Sequence, residues 1–170
     1  VLTLNREQAT IFAQVLLKEL LEEGVDLSTF VVDHICYETG TVEEYSQIKR
    51  SLINKKIPGL EGVLLTEAEV SGRPIATFIF DSPLRVDRFQ IEALEVPSPK
   101  AGKAVKTGWD HVEIVIQESF EAFKNKYPHL RYQKKYVTKA LNDELVIGLY
   151  SGRVKFHHLP LSTIIALENP

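Results

Sequence analysis

The sequence predicts an α+β fold built from two strand-helix-strand-strand-strand modules, with one helix added before them and another closing the chain. Three observations predict it. Asp33-His34-Ile35-Cys36-Tyr37 and Asp110-His111-Val112-Glu113-Ile114-Val115-Ile116 each open on an Asp-His pair and run on as a short, apolar, β-branched stretch, too brief and too alternating for a helix. Each is followed by a helix-like segment and then by further strand-like runs, so the order of elements repeats. Between the two series, Pro97-Ser98-Pro99-Lys100-Ala101-Gly102-Lys103 carries two prolines and a glycine, which suits an extended connection.

The first element is a helix. Asn5 can cap it, and Ala9, Phe12, Ala13, Leu16, Leu17, Leu20 and Leu21 recur at three- and four-residue spacing until Gly24 stops the run. A strand follows over 29–37. Val42, Tyr45, Ile48, Leu52 and Ile53 then mark the inner face of a helix over 42–53, before Pro58-Gly59. Strand-like runs cover 62–70, 75–80 and 89–96, punctuated by Ser71-Gly72 and Ser82-Pro83. After the Pro-rich connection the order restarts: a strand over 110–116, a short helix over 118–126 ending before Pro128, strands over 130–138, 144–150 and 154–158, and a terminal helix over 161–167. The expected organisation is one compact unit over 1–170: a helical extension (1–28), a first module (29–96), a linker (97–107) and a second module with the terminal helix (108–170).

Composition narrows the function. With 44% hydrophobic and 25% charged residues in 170, the chain can bury a good core. A net charge of −3 argues against nucleic acid as the partner, since a phosphate-binding surface carries a basic excess. One cysteine, Cys36, excludes an intrachain disulfide, and no apolar run is long enough to span a bilayer. The opening Val1-Leu2-Thr3-Leu4-Asn5-Arg6-Glu7 has neither the basic leader nor the long apolar centre of a secretory signal. The cytoplasm is therefore the expected compartment, although a chain that starts at Val1 and has no methionine is expected to have lost something upstream. A Gly-rich phosphate loop, a Cys-x-x-Cys pair and a strand-turn serine elbow are all missing from the sequence, which leaves nucleotide hydrolysis, thioredoxin-type redox work and α/β-hydrolase chemistry unsupported.

Taken together, Asp33-His34-Ile35-Cys36-Tyr37, Leu94-Glu95-Val96-Pro97-Ser98-Pro99-Lys100, Gly108-Trp109-Asp110-His111-Val112-Glu113-Ile114-Val115 and Val154-Lys155-Phe156-His157 resemble the YecM-like family of bacterial proteins, over nearly the whole chain. That family in turn looks like a member of the vicinal-oxygen-chelate superfamily, with glyoxalase I, extradiol dioxygenases and bleomycin-resistance proteins. The resemblance implies paired βαβββ modules whose sheets curl around a cleft. It also implies metal ligands drawn from the first and last strands of the modules. It implies no particular reaction.

The residues can be read beside the resemblance. His34 and His111 open equivalent strands, so a pseudo-twofold between the modules would bring them to equivalent places at the cleft. Glu95 and His157 end the strands expected to be equivalent and would complete the set. Strand alternation puts Glu95 with Phe89, Ile91 and Ala93, whereas polarity alone would turn Glu92 to a wet cleft; the family resemblance favours Glu95. On the last strand Arg153, Lys155 and His157 share a face, and a one-residue bulge would exchange His157 for His158. A histidine there departs from the glutamate often found in the superfamily. The expected metal ligands are thus His34, Glu95, His111 and His157, a set suited to a divalent transition metal such as Zn²⁺, Fe²⁺, Ni²⁺ or Mn²⁺. Glu113, two residues beyond His111, is the expected catalytic carboxylate, and Trp109 on the same face is expected to line the substrate pocket. Cys36 reads as a small core residue. The expected partner is a small-molecule ligand, with neither nucleic acid nor membrane, in a monomer or homodimer. Two functions compete: a metal-dependent isomerase, lyase or dioxygenase-like enzyme acting on a small oxygenated molecule, and a non-catalytic module that binds or sequesters such a molecule as bleomycin-resistance proteins do.

Overall fold

The structure, a computed structural model, describes residues 4–103, 105–133 and 143–168. Helix α1 (Arg6–Glu22) begins where Asn5 turns extended and its side chain accepts the Gln8 N–H at 2.9 Å. It buries Ala9, Ala13, Leu16, Leu17 and Leu20 and ends just before Gly24, whose φ of +79° is a left-handed geometry that a glycine adopts without a Cβ clash. Strand β1 (Val31–Glu38) leads into α2 (Val42–Ile53), which the Thr41 hydroxyl caps by accepting the Glu44 N–H at 3.1 Å. Glu43 and Glu44 in its first turn complement the positive end of the helix dipole. Strands β2 (Gly62–Val70), β3 (Arg73–Val86) and β4 (Phe89–Pro97) complete the first module. The second consists of β5 (Gly108–Val115), α3 (Phe120–Lys126) capped by Ser119, β6 (Leu145–Gly148) and β7 (Arg153–His157), and α4 (Leu161–Glu168) closes the chain.

All seven strands form one mixed sheet in the order β2-β3-β4-β1-β5-β7-β6. Within each module the first strand pairs parallel with the last, β1 with β4 and β5 with β7, and the modules meet where β1 pairs antiparallel with β5. His34 lies opposite Glu113 and Cys36 opposite His111, so an axis between Ile35 and Val112 relates the two halves. That axis carries His34 to His111 and Cys36 to Glu113. Cys36 pairs with Glu95 on β4 while Glu113 pairs with Lys155 on β7, so the same operation carries Glu95 to Lys155.

Alternation then sorts the two faces. Ile35, Leu94, Val112, Ile114, Val154 and Phe156 belong to the apolar core. α1 packs against β3 and β5, and α2 against β2 and β4, burying Tyr45, Ile48 and Leu52. His34, Cys36, Glu95, His111, Glu113 and Lys155 share the opposite face. None of the described helices is long and apolar enough to cross a membrane.

One expectation about elements needs correction. Ser82-Pro83 does not end a strand at Phe80; β3 continues to Val86, with a register shift between Ile79 and Leu84 that takes Pro83 out of the hydrogen-bonded ladder. Of the strand expected over 130–138, the described part bridges from Tyr132 to Ile147 at the outer edge of β6, and residues 134–138 lie outside the described residues.

Candidate metal centre

Five polar side chains meet at the module boundary on three adjacent strands and on β7. His34 from β1 is 2% exposed, His111 and Glu113 from β5 are 2% and 3%, and His157 from β7 is 4%. Glu95 from β4 lies beside them. Polar groups buried to this degree are costly without partners, and the arrangement supplies nearly all of them. Glu113 is the centre: its Oε1 is 2.9 Å from His111 Nε2 and 3.2 Å from Lys155 Nζ, and its Oε2 is in close contact with His157 Nε2 and 3.3 Å from His34 Nε2. The exception is His34. Its Nε2 is buried with no hydrogen-bond partner, although the oxygens of Glu95 and Glu113 stand 3.5 and 3.3 Å away.

Each module holds its first histidine from behind with the preceding aspartate, by a different device. Asp33 Oδ2 is 2.8 Å from His34 Nδ1 and accepts the Leu161 N–H at 2.9 Å, so the first turn of α4 anchors it. Asp110 Oδ2 is 2.6 Å from His111 Nδ1 and is held by the Arg153 guanidinium. A carboxylate behind an imidazole fixes ring orientation, and this is the support that metal-ligating histidines receive.

The electrostatics follow from burial against charge. Burial works against protonation of His34, yet the Glu113 and Glu95 carboxylates outweigh it and hold the imidazole well above its ordinary range. Burial also disfavours the Glu113 carboxylate, but His34, Lys155 and His157 draw it well below the usual range. Glu95 is lowered, against its own burial, by His34. Lys155 stays charged because Glu113 and Glu144 overcome its desolvation. Burial pushes the Cys36 thiol up, and Glu95 adds to the effect.

A divalent ion fits these residues. Donor atoms of His34, Glu95 and Glu113 all lie within 4.8 Å of one another, and so do those of Cys36, Glu95 and His111. A buried imidazole nitrogen facing two carboxylates is a donor set that a first-row divalent ion takes. A cavity of about 650 Å³ opens beside the cluster, and Glu38, Arg73, Lys124, Glu144, Arg153 and Lys155 are among the residues on its wall.

The structure brings together His34, Glu95, His111, His157 and Glu113. Glu92 is exposed on the other side of β4. His158 stacks on Phe120 at 4.3 Å, with Nδ1 3.1 Å from the Ile116 carbonyl, away from the cluster. Two placements differ from the sequence reading. The twofold partner of Glu95 is Lys155, because β7 pairs with β5 two residues earlier than the ends of the strands indicate; His157 pairs with Val115 and reaches Glu113 from one step further along. Trp109 does not line the cleft. A register shift opposite Cys36 and Tyr37 turns it to the helix side, where it stacks on Phe12 of α1 at 6.4 Å and meets Tyr37 edge-on at 5.0 Å. Cys36 is buried, as a core cysteine would be, yet it stands outside the hydrophobic cluster, between Glu95 and His111. Sequence reasoning missed Lys155 as a member of the cluster, although its place two residues before His157 on the same strand face was the available signal.

Solved structures carry the same architecture. Protein EC4020, from structural genomics, superposes with a TM-score of 0.76 at 22% identity, covering 96% of this chain and 90% of its own. Hypothetical protein BH1468 of Bacillus halodurans gives 0.53 at 14% identity, over 76% and 94%. Methylmalonyl-CoA epimerase of Mycobacterium tuberculosis gives 0.50 at 10% identity, over 80% and 93%. The paired-module fold is therefore shared with these proteins, methylmalonyl-CoA epimerase among them. In sequence, protein YecM of Escherichia coli is 31% identical over 98 residues, which are 55% of this chain and 46% of that protein. An uncharacterised protein of Haemophilus influenzae is 29% identical over 96 residues, 56% of this chain and 47% of its own. The chain thus spans about half the length of the curated relatives it matches. The family model described as YecM protein matches residues 3–164, and the chain belongs to the YecM family.

Proposed function

We propose that this chain binds a divalent transition metal at the module boundary and acts there on a small oxygenated molecule, as an isomerase, lyase or dioxygenase-like enzyme of the vicinal-oxygen-chelate type working in the cytoplasm. One observation carries the reading: His34 Nε2 is buried, makes no well-directed hydrogen bond, and faces the carboxylates of Glu95 and Glu113 at 3.5 and 3.3 Å. His34, Glu95 and Glu113 would hold the ion, with His111 and His157 close enough through Glu113 to join or to brace it. Bound there, a divalent ion supplies a Lewis acid for a carbonyl or enediolate oxygen, or lowers the pKa of a bound water.

The chain's own residues do the rest. Asp33 and Asp110 fix the rings of His34 and His111. Glu113 has both oxygens engaged, which favours a holding role over that of a free general base. The cavity beside the cluster has room for a small ligand, and Lys155 and Arg153 on its wall suit oxygen-rich, partly anionic groups.

The test compares metal-stripped and metal-loaded protein for solvent-deuterium exchange into small carbonyl compounds and for oxygen uptake with vicinal diols and catechols. Metal-dependent turnover that disappears in Glu113→Gln supports the reading. Saturable binding of such compounds to the loaded protein without turnover contradicts the enzyme and leaves the non-catalytic binding module.

A further inference from the structure

Resting on the metal site just described, we propose that Cys36 coordinates the same ion as a thiolate, which makes this a site for a thiophilic or borderline metal such as Zn²⁺, Co²⁺ or Fe²⁺ rather than for Mg²⁺ or Mn²⁺. Three observations converge. The Cys36 sulfur, a Glu95 oxygen and a His111 ring nitrogen lie within 4.8 Å of one another, and this group shares Glu95 with the group of His34, Glu95 and Glu113. Cys36 pairs in register with Glu95 on one side and His111 on the other, so its side chain is on the cluster's face of the sheet. It is 1% exposed and yet outside the hydrophobic cluster. His34 Nε2, buried in the same cluster without a well-directed hydrogen bond and 3.5 Å from the shared Glu95, is a further nitrogen donor at the site.

Symmetry supports the assignment. The pseudo-twofold carries Glu113 to Cys36, so both positions flanking the axis hold a group that can donate as an anion. It carries Glu95 to Lys155, whose ammonium lies 3.2 Å from Glu113. In the binding step the S–H bond breaks, its proton passes to solvent and the sulfur lone pair forms the bond to the metal; no electron is transferred. A thiolate in the set selects against hard, oxygen-preferring ions.

The experiment is a Co²⁺ titration of metal-stripped protein followed by absorption. Visible ligand-field bands report an ion in the site, and a near-ultraviolet sulfur-to-cobalt charge-transfer band reports the thiolate. The unaltered protein should show both. Cys36→Ser should keep the visible bands, lose the charge-transfer band and bind Zn²⁺ at least about tenfold more weakly, the lower end of what loss of even an outer support of a ligand costs. Visible bands without charge transfer in the unaltered protein overturn the thiolate proposal and leave the metal site standing. No visible bands at all overturn both. The decisive spectrum comes from the unaltered chain, so a folding defect in the variant does not blunt the test.

Discussion

Lys155→Met separates a structural ion pair from a metal site. The Lys155 ammonium is 3.2 Å from Glu113 and 3.8 Å from Glu144, with 17% of its side chain exposed. At an effective dielectric near 20 the nearer pair is attracted by about 5 kcal/mol, before the cost of taking both charges out of water. Removing one partner of a buried pair costs about 3–5 kcal/mol, because the other charge is left uncompensated. The residual exposure places this pair at the lower end, about 3 kcal/mol, which for a domain of this size lowers Tm by roughly 6–12 °C. That loss belongs to the metal-free protein, where Lys155 stands with His34 as a cation beside Glu113 and Glu95. With the site saturated by Zn²⁺ the ion neutralises both carboxylates, and the loss should shrink to about 1 kcal/mol or less, the packing difference between a lysine stem and a methionine. Metal affinity should rise, since a like charge has left the site. The assay is thermal denaturation of both proteins, stripped and loaded. An equal loss of Tm in the two states, or less than about 2 °C in the stripped protein, would refute the reasoning.

Leu161→Pro should leave α4 intact, because proline is tolerated at the first helical position, yet it deletes the N–H that Asp33 accepts; with His34 less firmly oriented, Zn²⁺ affinity measured by competition should fall about 10- to 100-fold. Gly62→Ala would put a Cβ 2.3 Å from the Ile79 carbonyl oxygen, so β2 and β3 must part and stability should drop by about 1–3 kcal/mol in a urea titration. The pH dependence of the metal-free protein has two limbs. Glu113 and Glu95 are drawn below their ordinary range, so their contribution is present above about pH 4.3 and is lost as pH falls through their folded values. His34 is raised, so its contribution is full below about pH 6.5 and is lost as pH rises through its folded value. Denaturation curves across pH 3 to 9, on the scale of those ordinary values, should fall at both ends. A flat alkaline limb in His34→Gln identifies the group.

Much of the architecture was legible because repetition is a strong signal. Two Asp-His strand openings and a repeated order of elements were enough to expect paired modules, and Asn5, Thr41 and Ser119 cap helices where their side chains can accept. The members of the cluster on β1 and β5 follow from strand parity alone. What failed depended on register. Whether Lys155 or His157 faces Glu95 across the axis is decided by how β7 pairs with β5, and one strand's sequence does not carry its partner's offset. Trp109 shares the parity of His111, but a bulge reverses it. Pro83 looked like a terminator because a ladder strand has no place for it, and the irregularity between Ile79 and Leu84 made one. Cys36 is buried, as its residue type leads one to expect, and its parity with His34 puts it on the cluster's face of the sheet.

Elemental analysis of protein purified without added metal, and again after reconstitution with Zn²⁺, Fe²⁺, Ni²⁺ and Mn²⁺, tests the account most directly when run on the unaltered chain and on His34→Ala. His34 supplies a buried imidazole nitrogen that makes no well-directed hydrogen bond and faces the carboxylates of Glu95 and Glu113. The account predicts about one equivalent of a transition metal per chain in the unaltered protein, lost in His34→Ala while the circular-dichroism spectrum is retained. No metal in the unaltered chain under any of these conditions would contradict it.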